Sequence, residues 1–154
     1  MFKKLFILAL AVLSISACCQ KATPKVLDTQ AFAEQALTSI DFGDEVVPLS
    51  ENVIADFYNL QFEGLEEVVV YTSGTRATAS EIAVFRVADK DAMAAAKAAV
   101  EARLGDQKES YENYRPDEMV KLNAATIKED GNYLLFAVTP DNDTVVKLFN
   151  ENLK

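Results

Sequence analysis

Apolar residues recur along this chain in two periods, and the switches between them outline the predicted elements. Phe32, Ala36 and Leu37 fall on one face of a helix over Thr29 to Thr38, with Asp28 and Thr29 as candidate caps. Asp41-Phe42-Gly43-Asp44 reads as a turn, and Glu45 to Leu49 as a short extended piece that ends near Pro48. Val53, Ile54 and Phe57 define a second helix over Ser50 to Leu60, capped by Ser50. Glu67 to Thr72 is rich in β-branched residues and predicts a strand. Beyond the loop Ser73 to Thr78, Ser80 to Val87 returns as its antiparallel partner. Asp89 caps a long helix from Lys90 to Leu104, with Met93, Ala96, Val100 and Leu104 as its buried stripe and Lys97 and Glu101 one turn apart on the wet face. This helix has room to continue past Gly105 toward Tyr114.

Pro116 opens a short helix over Asp117 to Leu122, since proline suits a first turn. Ala124 to Lys128 and Tyr133 to Thr139 form a second hairpin around Asp130-Gly131. Tyr133 to Val138 is apolar on both faces, which places it inside the sheet. A closing helix over Asp141 to Leu153 turns Val145, Leu148 and Phe149 inward. The expected fold is α+β: a mainly antiparallel sheet of about four strands, made of two hairpins and packed against helices. Two strand-hairpin-strand-helix units follow the N-terminal helices, in one domain over residues 27–154. Phe85 matches Phe136 and Val87 matches Val138 between the units, through duplication or through common α+β patterning.

The first 17 residues follow a different pattern. Lys3 and Lys4 precede an apolar run from Leu5 to Ala17. As a helix that run is about 20 Å long, short of the roughly 30 Å of a bilayer core, so it predicts a cleavable export signal. Ile15-Ser16-Ala17-Cys18 resembles the lipobox of bacterial lipoproteins, in which the cysteine sulfur takes a diacylglyceryl group and becomes the mature N-terminus. An ordinary signal peptide cut after Ala17 is the rival reading. A thiolate is a better nucleophile than a hydroxyl, and two acyl chains anchor where one is marginal. Cys19 is a spare thiol, a second acylation site or an intermolecular disulfide partner. Residues 18–26 form the linker; Cys18 to Lys25 spans at most about 28 Å, which keeps the domain close to the bilayer.

Composition removes several function classes. The net charge of the 154 residues is -9, which argues against nucleic acid as a partner, as does the lack of a basic stripe with interleaved aromatics. The chain has no histidine and no tryptophan, which removes the commonest general base and metal ligand. Both cysteines sit at the anchor, leaving the domain without a disulfide framework or thiolate metal site. No cofactor is expected. Asp141-Asn142-Asp143 opens like a calcium loop but has Val146 at position six and Asn152 at position twelve, so it reads as a helix cap.

Tyr71, Ser73, Gly74, Thr75, Arg76 and Glu81 cluster around the first hairpin and form the candidate binding loop. A serine nucleophile at Ser73 would need a base in reach, and Arg76, three residues on, cannot deprotonate. Otherwise Gly74 permits the turn while Ser73 and Thr75 satisfy its backbone, or Arg76 meets an anionic partner. Glu66-Glu67 and Glu34 with Asp28 show no paired placement for glycosidase chemistry.

The segment from Glu67 to Phe85 (EVVVYTSGTRATASEIAVF), followed by an alanine-rich helix carrying Glu101-Ala102-Arg103-Leu104, resembles a bacterial lipoprotein family called domain of unknown function 4358. Gln107-Lys108 to Tyr114, Asn123 to Ile127, and Gly131-Asn132-Tyr133 with its apolar strand also fit, so the likeness runs from about Leu27 to Phe149. It implies a small exported lipoprotein, with no activity or site residues to carry over. The expectation is a non-enzymatic binding or accessory module on the extracytoplasmic face of the cell membrane. It would be held in the bilayer through diacylglyceryl Cys18 and would engage an envelope protein or a small ligand. A hydrolase using Ser73 or paired carboxylates, and a purely structural envelope protein, are the alternatives.

Overall fold

The computed structural model describes residues 25–154, so the expected export signal over residues 1–17, Cys18 and Cys19 lie outside the described residues. The elements are α1 (Thr29–Ser39), β1 (Val46–Pro48), α2 (Glu51–Tyr58), β2 (Leu65–Ser73), β3 (Glu81–Val87), α3 (Lys90–Tyr114), α4 (Met119–Asn123), β4 (Thr126–Asp130), β5 (Tyr133–Val138) and α5 (Asn142–Asn152), with a 3-10 turn at Pro116–Glu118 ahead of α4. Short side-chain caps start three of the helices. Asp28, Asp89 and Asp141 accept from the backbone N–H of Ala31, Ala92 and Thr144 at 2.9, 2.9 and 3.0 Å, which satisfies donors the helix itself leaves free.

The sheet is antiparallel, with strand order β1-β2-β3-β5-β4. The two predicted hairpins are present and meet along β3 and β5, with Phe85 opposite Leu134 and Val84 opposite Leu135. The fifth strand is β1, the extended piece before Pro48, which pairs Val46 with Ser73 and Pro48 with Tyr71. Proline lacks an N–H to donate and suits this edge position. Gly131 turns the second hairpin with φ of +60°.

Period-two alternation sends β3 and β5 side chains to two cores. Ile82, Val84, Leu135 and Ala137 face α1 and α5, where Phe32 and Phe149 meet edge-on with ring centroids 5.6 Å apart. Ala83, Phe85, Phe136 and Val138 face α2 and α3. The matched pairs Phe85/Phe136 and Val87/Val138 therefore share one face, yet the helices that follow the two hairpins cover opposite faces. Lys97 pairs with Glu129 of β4, where the sequence suggested Glu101.

α3 runs unbroken through Gly105 for 25 residues. Its buried stripe continues the expected Met93, Ala96 and Val100 into Gln107, while Leu104 is only half-buried. At the helical spacing of three or four, the inward positions after Val100 are Arg103, Gln107 and Tyr111. The second half of α3 thus presents polar groups to the sheet, and the candidate site lies there.

Candidate functional site

Glu81 begins β3 and is fully buried. Pairing opposite Thr72 puts it on the α3 face. Its carboxylate accepts from Arg103 Nε at 3.2 Å and Nη2 at 2.6 Å, from Gln107 Nε2 at 3.0 Å, from Thr72 Oγ1 at 3.3 Å, and at short range from the Tyr58 hydroxyl at the end of α2. A buried carboxylate survives only when its lone pairs are met in this way. Burial, reinforced by the Glu81 charge, pushes the Tyr58 phenol well above its ordinary range, so it stays a donor. Burial works against the Arg103 charge, but hydrogen bonding to Glu81 and its charge outweigh that and raise the guanidinium pKa. Arg103 also lies 4.4 Å over the Phe57 ring, a favourable cation–π placement.

Above this network the first hairpin loop is fastened from two sides. Asp44 accepts from Thr75 Oγ1 at 3.0 Å and, at short range, from Ser73 Oγ. The Ser73 hydrogen bond, more than the others, draws the Asp44 carboxyl below its usual value. From α3, the Tyr111 hydroxyl lies 2.6 Å from the Thr78 carbonyl and 3.2 Å from that of Arg76. Burial and then the Glu118 charge raise the Tyr111 phenol. Glu118 accepts the Ala79 N–H at 2.8 Å and pairs with Lys121 at 2.6 Å.

Between loop, α2 and α3 lies a cavity of about 710 Å³, within the roughly 300–1,000 Å³ usual for small-molecule sites. Val47, Val53 and Phe57 form its apolar wall; Arg76, Arg103 and Gln107 line its polar side. A shallower groove of about 410 Å³ lies at the other end of the sheet, beside Lys25, Glu66 and Arg86.

The six residues of the predicted loop divide. Ser73, Gly74, Thr75 and Arg76 line the cavity. Glu81 sits beneath it in the network. Tyr71 does not join them: it points to the opposite face, where its hydroxyl accepts from Gln30 Nε2 at 2.8 Å, as alternation along β2 requires. The turn is also built differently from expectation. Arg76, not Gly74, takes the left-handed conformation, with φ of +61°. Gly74 instead packs closely, since a Cβ there would stand 3.2 Å from Val47 Cγ1, a tight contact. The other singled-out carboxylates are engaged: Glu66 and Glu67 bind Arg86 at 2.5 and 3.2 Å, Asp28 caps α1, and Glu34 accepts from Gln30. Among the described residues, no group of histidine, cysteine or acidic side chains could hold a metal ion, and no helix is long and apolar enough to cross a membrane.

Sequence reasoning missed Asp44, Tyr58, Arg103, Gln107 and Tyr111 as site residues. The signal for the three on α3 was phase: polar residues stand where the buried stripe should continue. Asp44 and Tyr58 reach the site through the tertiary fold and left no comparable mark.

The family described as a domain of unknown function (DUF4358) matches residues 38–139, about two thirds of the chain. The chain belongs to that family. The matched segment contains the cavity and both of its fastenings, from Asp44 to Lys121, and ends just after β5. No curated protein and no solved structure matches the chain.

Proposed function

We propose that this DUF4358 protein is an extracytoplasmic lipoprotein, held at the outer face of the cell membrane by a diacylglyceryl group on Cys18, whose domain is a binding or accessory module. The observation that carries the binding role is the cavity of about 710 Å³ under the Ser73–Thr78 loop, with Arg76 at its edge. The buried network below it fixes the polar side without using the Arg76 guanidinium. The lipobox-like Ile15-Ser16-Ala17-Cys18 supports the anchor. Arg76→Glu should weaken capture of the partner in pull-downs from detergent-solubilised membranes, whereas Lys147→Glu on α5 should not; equal capture by both removes the cavity from the proposal. Cys18→Ser should release the protein from membranes or arrest its maturation, and a mature N-terminus without a lipid adduct by mass spectrometry would refute the anchor.

A hydrolase remains the second reading, because Ser73 does lie against a carboxylate. Asp44, however, holds protons more weakly than a free aspartate, which suits clasping a loop better than accepting a serine proton. Labelling by a serine-reactive probe that Ser73→Ala abolishes would favour the enzyme.

A further inference from the structure

The chemistry of the cavity narrows its occupant, on the reading that it is a binding site. The chain is acidic, and Arg86, Arg103 and Arg115 each pair with a carboxylate at 2.5, 2.6 and 3.0 Å. Arg76, the remaining arginine, forms no ion pair among the described residues and is exposed at the cavity's edge. Its backbone adopts a left-handed conformation that is uncommon outside glycine, and such outliers gather at ligand clamps. Tyr111 pins the loop in this shape from α3. The loop thus holds an unspent cation over the opening.

Gln107 supplies the second observation. It lines the cavity and is only 3% exposed. Its Nε2 must face the Glu81 carboxylate, which fixes the amide orientation. The opposite end, Oε1, is buried with no hydrogen-bond partner. Buried acceptors seldom lack a donor. Val47, Val53 and Phe57 supply the apolar wall.

We infer that the cavity takes a small ligand bearing a free carboxylate, a neighbouring N–H and an apolar side group, the chemistry shared by an apolar amino acid and the C-terminus of a short peptide. Arg76 meets the carboxylate, Gln107 Oε1 accepts the N–H, and the side group rests on Val53 and Phe57. Arginine suits the carboxylate because its fork of donors matches two oxygens.

Calorimetric titration of the full-length protein in detergent tests this with leucyl-leucine, leucyl-leucinamide, leucyl-N-methylleucine, leucine and inorganic phosphate. Leucyl-leucine should bind, the amide at least tenfold more weakly, and the N-methyl form several-fold more weakly. Comparing leucine with leucyl-leucine tells a free amino acid from a peptide end. Arg76→Gly should lose at least tenfold in affinity while keeping or raising the melting temperature, because glycine accepts the left-handed backbone. Equal binding of acid and amide, phosphate binding as tight as the dipeptide, an unaffected Arg76→Gly, or no binding of leucine or leucyl-leucine at millimolar concentration would each overturn the assignment. If Arg76→Glu still weakens partner capture from membranes, such a failure removes the ligand class and leaves the binding module in place.

Discussion

The two faces of the sheet are built on opposite terms. Beneath α1 and α5, Phe32, Ile82, Val84, Leu135 and Phe149 are fully buried against one another. Beneath α3, the hydrocarbon of Met93, Ala96 and Val100 gives way to a buried carboxylate with four side-chain donors. The first face gains from burial of area and needs only shape. The second must meet every polar group or forfeit stability, because a stranded charge in a low dielectric is costly. A domain with one apolar core to spare can hold a polar, incompletely filled one on its other side, and the cavity lies on that side.

The largest effects should separate the faces by kind rather than size. Phe149→Ala should destabilise by about 3–5 kcal/mol through the cavity it leaves, and Arg103→Leu by about 3–5 kcal/mol through the charge it strands, both read from chemical denaturation. The sharper result is the double variant Glu81→Leu with Arg103→Leu. It should cost clearly less than the sum of the two single changes, since removing both charges leaves neither unpaired, while Tyr58 and Gln107 still lose their acceptor. A double variant as damaging as the sum would make the two faces energetically alike.

Tyr58→Phe comes next, at about 1.5–3 kcal/mol, the usual worth of a hydrogen bond to a charged group. Its pH dependence is the better test. A phenol whose folded pKa is raised contributes stability below its unfolded value of 10.0 and loses it as pH rises beyond that. The native protein should weaken in alkali above about pH 10, and Tyr58→Phe should flatten that limb. Asp44 works in the other direction. Its folded pKa is lowered, so its contribution is present above the ordinary aspartate value of about 3.9 and is lost as pH falls through the folded one. Asp44→Ala should lessen the acid sensitivity and loosen the loop, seen as faster amide exchange over Ser73 to Thr78. The smallest effect belongs to Lys147→Gln, within about 0.5 kcal/mol, because its pair with Glu151 is exposed and 3.9 Å apart.

The elements were legible where periodicity was strong and long. Val68 to Val70, Ala83 to Phe85 and Leu134 to Phe136 left little doubt of strands, and three aspartate caps fixed helix starts. β1 was visible only as an extended piece, since three residues carry no pattern that says which edge they join. The site was half legible. Loop chemistry pointed to Ser73 and Arg76, but Tyr71 was grouped with them by proximity in sequence, although alternation with Val70 already assigned it to the other face. Glu81 was grouped with the first hairpin as part of the candidate binding loop. Its burial could not be foreseen, because its partners come from α2, β2 and α3, up to 26 positions away.

Val26 exchanges backbone hydrogen bonds with Lys154, at 2.7 and 3.3 Å, and Lys25 is tied to Asp130 at 2.8 Å. These clamps fasten the start of the described chain at the Tyr133 end of the sheet. The Ser73–Thr78 loop lies at the other end, beyond a β3 strand of about 20 Å. Were Cys18 to carry the proposed lipid, the tether would enter the domain at the end of the sheet opposite the cavity, which would leave the opening on the side farther from the anchor.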